Sequence, residues 1–171
     1  MPDRPADASF ADLLPYGLWG CAARTPAGRT AIIVTWVTQL SFEPALLGLS
    51  LESQGAFLKD VLVAGEFTLS ALPRKQGMTI ARRILKEGLM KEGFPEARLF
   101  SRYPEWQEAI EGAAAAVQCR VARHYPAGDH TFIEGEVIRE HRWLNGDVLR
   151  LSDTGWKYRP SRSSQHDTAK D

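Results

Sequence analysis

In "TWVTQLSFEPALLGLSLES", Thr35 to Ser53, the residues Thr35, Thr38, Gln39 and Ser41 stand between two apolar runs. Hydroxyls and an amide at the end of a strand can turn donors and acceptors, with the neighbouring backbone N–H groups, toward one edge of a planar polar ring. The same groups cap loops in many chains, and spacing alone does not separate the two uses.

A protein-borne reaction centre is harder to find. The chain has no G-x-S-x-G, no G-x-x-x-x-G-K-S/T, no H-E-x-x-H and no G-x-G-x-x-G. The four histidines, His124, His130, His141 and His166, lack the spacing that a helix or strand would turn into a metal set, so no metal site is expected. His130 differs from the others because it follows Gly128 and Asp129 at the mouth of an expected strand, where barrel ligands are often met. Trp36, Trp106, Trp143 and Trp156 suit core packing as well as a pocket wall. No pair of carboxylates is isolated in an apolar setting. If the chain is an enzyme, a borrowed cofactor carries the difficult step.

Bulk properties exclude several partners. Lys and Arg total 21, as do Asp and Glu, so the formal charge is zero. A nucleic-acid or anionic-membrane partner normally calls for a basic excess. Cys21 and Cys119 have no C-x-x-C spacing, and two free thiols suit a reducing cytoplasm. The apolar run Ala45 to Leu51 is far short of the roughly 20 residues a membrane helix needs. The start "MPDRPADASF" lacks a signal-peptide layout.

At 171 residues the chain is most simply one domain. Residues 1–13 and the polar 159–171, "SRSSQHDTAKD" included, are expected as tails, the second disordered, with one domain over 14–158. "YGLWGCAAR", "TPAG" and "RTAIIVTWV" read as a hairpin, and Ala45 to Leu51 as a third strand. Phe57, Leu58, Val61 and Leu62 fall at helical spacing before Gly65, a natural stop. "EFTLSAL" is a strand. Ile80, Ile84, Leu85 and Leu89 give the apolar side of a second helix, and Pro104-Glu105 a third helix start. Val117, Cys119 and Val121 alternate with Gln118, Arg120 and Ala122, and "PAGD" turns the chain into "HTFIEGEVI". Asn145-Gly146 between apolar flanks signals one more hairpin. About seven strands with two or three helices favour a mainly β, antiparallel barrel with peripheral helices over a doubly wound parallel sheet.

"TWVTQLSFEPALLGLSLES" resembles the signature of the flavin reductase-like family of FMN-binding split barrels, which includes reductase components of two-component flavin monooxygenases. "YGLWGCAAR", "GEFTLSALP", "QCRV", "GDHTFIEGEV" and "DTGWKY" agree with it in order, over about Leu14 to Tyr158. The resemblance implies a homodimer with one FMN per subunit near the interface, and hydride transfer to the flavin from NADH or NADPH. It would set Thr35, Trp36, Val37 and Thr38 along the isoalloxazine edge, with Gln39 and Ser41 close by. Leu51, Glu52 and Ser53 would follow the ribityl chain, with Gly55 and Phe57 at the phosphate, and His130 would face the nicotinamide. The phosphate placement has a separate physical basis, since Ser53 to Ala56 precede a predicted helix whose N-terminus suits an anion. The family pattern has Asn at Thr35, proline at Ala45, and a hydroxyl residue and histidine at Phe57 and Leu58. A non-enzymatic module on the same barrel, holding FMN for one-electron traffic or another small ligand, is the alternative. A monooxygenase or other electron acceptor would be the partner. An oligonucleotide-binding barrel is disfavoured by the neutral charge.

Overall fold

A computed structural model describes residues 13–88 and 99–156. Most of the two expected tails, with Leu89, Lys157 and Tyr158, lies outside the described residues. One sheet holds seven strands, all neighbours antiparallel: β1 (Trp19–Thr25), β2 (Gly28–Val34), β3 (Val37–Phe42), β4 (Ala45–Glu52), β5 (Glu66–Ala71), β6 (Ala115–Ala127) and β7 (His130–Arg142). Helix α1 (Ala56–Ala64) lies between β4 and β5, and α2 (Gly77–Glu87) between β5 and β6.

The spatial order is β2-β1-β5-β6-β7-β4-β3. Strands β2 and β3, consecutive in the chain, therefore form opposite edges of the sheet, and only Thr35 and Trp36 join them. Val37 N–H donates to Thr35 O (3.1 Å) and Ser50 N–H to Trp36 O (3.1 Å), which fixes this link against the end of β4. The sheet stays open between its two edges, as a split barrel does.

Small residues in β1 explain how two cores share one strand. Cys21 and Ala23 face the barrel interior with Leu49, Leu51, Phe67, Leu69 and Ile133, while Ala22 faces outward to Leu72, Ile80, Ala81 and Ile84. Period-two alternation sends neighbours to opposite faces, and here both faces are covered. Helix α1 fills the barrel with Phe57, Leu58 and Val61, each large side chain contributing about 1.5–3 kcal/mol on full burial. Its expected stop is present: Gly65 takes φ 68° and donates its N–H to Val61 O. Cys21 and Cys119 are free and buried, and burial pushes the Cys119 thiol up to about 12.

A buried polar bond ties α1 to β2. The Thr30 hydroxyl donates to Asp60 Oδ2 (2.8 Å), and both residues are buried. Thr30→Val keeps the shape and removes the donor, so a urea unfolding curve is expected to show a loss of about 1–3 kcal/mol. No loss would mean that this bond adds nothing net to the stability of the fold.

Four details differ from the sequence expectation. Strand β3 covers residues expected to form only a polar rim; it is an edge strand with mostly exposed side chains, and so shows no apolar alternation. Asn145-Gly146 turns the chain but forms no hairpin, because Val148 bridges to Pro73 and Arg150 to Gly17. Pro104–Trp106 is a single 3-10 turn, although Trp106 and Ile110 are buried. In α2, Ile80 and Ile84 are buried, whereas Leu85 is 64% exposed.

Gly88 accounts for the placement of α2. Its carbonyl accepts the Ala31 N–H at 2.6 Å, and a Cβ on it would lie 2.0 Å from Ala31 O. Only glycine lets the helix end reach the free edge of β2 so closely. Among the described residues no helix is long and apolar enough to cross a membrane.

Candidate functional site

The free edge of β2 opens onto a cleft of about 380 Å³. Its geometry follows from the Ala31–Gly88 bond. Ala31 sends its N–H away from β1, and in an antiparallel pair alternate residues share a direction. The N–H and C=O of Ile33 therefore point to the open edge, and Ile33 lines the cleft beside Val34, Thr35 and Trp36. The strand thus offers the main-chain donor and acceptor of Ile33 to a flat ligand.

The second wall is the start of α1. Gly55, Ala56, Phe57 and Leu58 line the cleft. Gly55 is the N-cap, in extended conformation (φ −70°, ψ 136°), with no side-chain cap and no acidic residue in the first turn. The first N–H groups of a helix have no intrahelical partner, and with the positive end of the helix dipole they suit an anion. Among the described residues the lining contains no lysine or arginine, so an anion here would rest on backbone N–H groups.

The third wall is the junction of β4 and β7. Glu52 pairs with His130 in register, Ser53 N–H donates to Asp129 O (3.0 Å), and Ser53 Oγ lies 3.0 Å from Thr131 Oγ1. The turn before β7 uses Gly128 at φ 68°, which brings Asp129 back beside the next ring. His130 Nδ1 is 2.7 Å from Asp129 Oδ1, and the imidazole lies 4.5 Å from the Trp36 ring at a tilt of 38°. His130 is only 6% exposed. Nδ1 faces Asp129, and the ring lines the cleft beside Trp36.

The hydrogen bond from His130, and then its charge, hold the Asp129 carboxyl below the usual aspartate range. A carboxyl depressed in the folded state stabilises the fold above its unfolded value, and that contribution disappears as pH falls through the folded value. Asp129→Asn should therefore lower the urea midpoint near pH 6 and leave the two proteins closer together near pH 3, below the ordinary range of about 3.9. A gap that widens on acidification would contradict the pairing.

The structure brings some of the candidate residues together and sets the others apart. Thr35, Trp36, Leu51, Glu52, Gly55, Phe57 and His130 line the cleft together. Gln39 and Ser41 instead line a second cavity of about 820 Å³ on the β3–β4 and β6–β7 surface. Val37 packs against the barrel core, Thr38 is exposed, and Ser53 is held by Thr131 and Asp129. Sequence reasoning did not single out Ile33, Leu85 or Leu151 as cleft residues, and it weighed Trp156 between core packing and a pocket wall. Trp156 lies within "DTGWKY"; Leu85 gave a signal only through its position next to Lys86, at the margin of the apolar helix face.

Comparison with known proteins places this geometry. The model of the flavin reductase like domain matches residues 11–153. The reductase component of 4-hydroxyphenylacetate 3-monooxygenase from Thermus thermophilus is 30% identical over 144 residues, covering 82% of this chain and 87% of that protein. The NADH-dependent FMN reductase AsuE2 of Streptomyces nodosus subsp. asukaensis is 26% identical, covering 75% of this chain and 70% of that one. Among solved structures, the NADH:FAD oxidoreductase SgcE6 of Streptomyces globisporus superposes with a TM-score of 0.74 at 20% identity, over 94% of this chain and all of the other. From the strand order, the cleft and these matches, the chain belongs to the flavin reductase-like domain family.

Proposed function

We propose that the protein is a flavin reductase that accepts hydride from NADH or NADPH onto FMN held in the β2-edge cleft. The observation that carries this reading is the cleft itself: a strand edge, an uncapped helix start and the Asp129–His130 pair converge on one space. The residues present fit the group. A ring edge needs a donor and an acceptor side by side, which the backbone of Ile33 offers, and a phosphate suits the start of α1, where Gly55 leaves the N–H groups uncapped.

A bound flavin supplies a two-electron acceptor for the hydride that leaves C4 of the dihydronicotinamide. The chain's own share is binding, orientation and electrostatics. The main-chain N–H of Ile33 at the β2 edge orients the ring and offers a donor where negative charge grows. Trp36 and His130 form the wall against which a second ring can be held. Asp129 fixes the imidazole through Nδ1. The apolar side chains Leu51, Phe57 and Leu58 exclude water from the floor. No side chain is required as acid, base or nucleophile, which accords with the absence of those motifs from the sequence.

The active particle is a homodimer in this reading. Phe42, 87% exposed, and Leu40 on β3 and Ile138 on β7 are exposed apolar side chains that a second copy would cover. Reduced flavin would pass to a partner oxygenase or other acceptor in the cytoplasm.

Absorbance spectroscopy with added FMN tests the core of the proposal. Anaerobic addition of NADH or NADPH should bleach the flavin band catalytically. A bound yellow flavin that neither nucleotide bleaches would leave a passive carrier, and failure to bind flavin would overturn the reading altogether. Sedimentation should give twice the 19.0 kDa chain mass.

A further inference from the structure

We propose that Arg82 and Lys86 on α2 steer phosphorylated ligands into the cleft, a role that takes the identity of those ligands from the flavin reductase reading. Two observations carry it. The first is where the charges stand. Leu85 lines the cleft, and Arg82 and Lys86 are exposed beside it, three residues before and one after. Arg82 is one helical turn from both Leu85 and Lys86, the spacing at which side chains are neighbours, with Cβ atoms about 5–6 Å apart. Glu87 is the one acidic residue of α2, against Arg82, Arg83 and Lys86. Among the described residues neither Arg82 nor Lys86 has an acidic partner, whereas Arg74, just before the helix, is held by Asp147 and Asp153.

The second observation is what the cleft itself lacks. Among the described residues its lining holds one carboxylate, Glu52, and no lysine or arginine, so the attraction for an anion comes from the N–H groups at the start of α1. That attraction is short in reach, because the field of a helix end fades within a turn. A full charge acts over the screening length, about 10 Å at 0.1 M salt. The start of α1 can hold a phosphate, and the charges of α2 bring it there. Arg82 and Lys86 stand beside the mouth and outside the lining, so they act on the approaching ligand rather than on the bound one. Steering raises association rates by about 10- to 1,000-fold at strongly charged clefts, and two residues belong at the low end. The consequence is kinetic selection of FMN over riboflavin, which lacks the phosphate.

Stopped-flow flavin fluorescence at an ionic strength of about 0.1 M measures association and dissociation of FMN and of riboflavin. In the double variant Arg82→Glu, Lys86→Glu the FMN association rate should fall at least threefold. Its dissociation rate and both riboflavin rates should move less than twofold, and the FMN difference should shrink at about 1 M salt, where screening extends only about 3 Å. The double variant Arg120→Glu, Arg139→Glu makes the same change in net charge on β6 and β7. Arg120 pairs with Glu136, about 20 Å along β7 from His130, and Arg139 lies farther still, so this variant should leave FMN association within twofold. An FMN association rate unmoved by the first pair, or moved equally by the second, overturns the steering while the flavin reading stands. A change mainly in the dissociation rate would make Arg82 and Lys86 ligands of the bound phosphate and overturns it too. Quenching of tryptophan fluorescence needs no flavin, because Trp36 and Trp156 line the cleft. The first double variant should lower quenching by iodide and leave quenching by uncharged acrylamide unchanged. That result in a protein that binds no flavin keeps anion steering and refutes the flavin reading, whereas unchanged iodide quenching in such a protein refutes both.

Discussion

Gly55→Asp is expected to raise the dissociation constant for FMN at least tenfold while holding or raising the thermal midpoint. The two effects have one cause. Gly55 is the N-cap of α1 and its backbone is already extended, the conformation in which an aspartate side chain accepts an N–H from the first helical turn. Relative to glycine that bond gains a few tenths of a kcal/mol, and the lost freedom of the unfolded chain adds about 0.4–1 kcal/mol. Space is tight but open, since the new Cβ would lie 3.1 Å from Glu52 O and 3.7 Å from Glu52 Cβ. The same carboxylate takes the donors a phosphate would use and sets like charges side by side. At a separation of about 4 Å and the screening usual near a protein surface, one pair of unit charges is worth about 4 kcal/mol, so the 1.4 kcal/mol of a tenfold change is a lower bound. Riboflavin, which has the ring and no phosphate, is the control and should lose less than threefold. Equal weakening of both flavins would remove the phosphate from the start of α1.

The fold was legible wherever local chemistry matched the final partner. The β1–β2 hairpin, α1 with its stop at Gly65, and the β6–β7 hairpin through Gly128 all follow from residue period and turn residues that act within a few positions. Strand β3 was not legible because its outer edge is unpaired and its side chains meet solvent, so the pleat left no apolar trace. The Asn145-Gly146 signal was real as a turn, but a turn does not name its partner, and Pro73 and Gly17 took the pairing. In the site, Thr35, Trp36, Glu52, Gly55 and His130 were readable because short segments bring them in. The wall of Leu85 and Leu151 was not, since it depends on the close approach of Gly88 to Ala31 and on the C-terminal segment reaching the same cleft.

His130→Ala is expected to slow hydride transfer ten- to a hundredfold at saturating nucleotide, measured by stopped-flow bleaching of the flavin band, while the FMN dissociation constant moves less than threefold. A positioned histidine acting on proton transfer contributes about 10²–10⁴-fold; the expected effect is smaller because no proton moves in the hydride step itself and the ring acts by orientation. The placement supports such a role: the imidazole is buried, fixed through Nδ1 by Asp129, set against Trp36 and part of the cleft lining. Truncation also empties space beside Trp36, and a purely structural histidine would therefore weaken FMN and slow transfer by similar factors. Two near-isosteres separate the roles. The His130→Gln amide reaches the position of Nε2, whereas the His130→Asn amide reaches that of Nδ1 and can keep only the Asp129 contact. If Nε2 holds the nicotinamide, Gln should recover at least threefold over Ala and Asn should not. Recovery by Asn alone would shift the function to the Asp129 contact and make His130 a support for the turn.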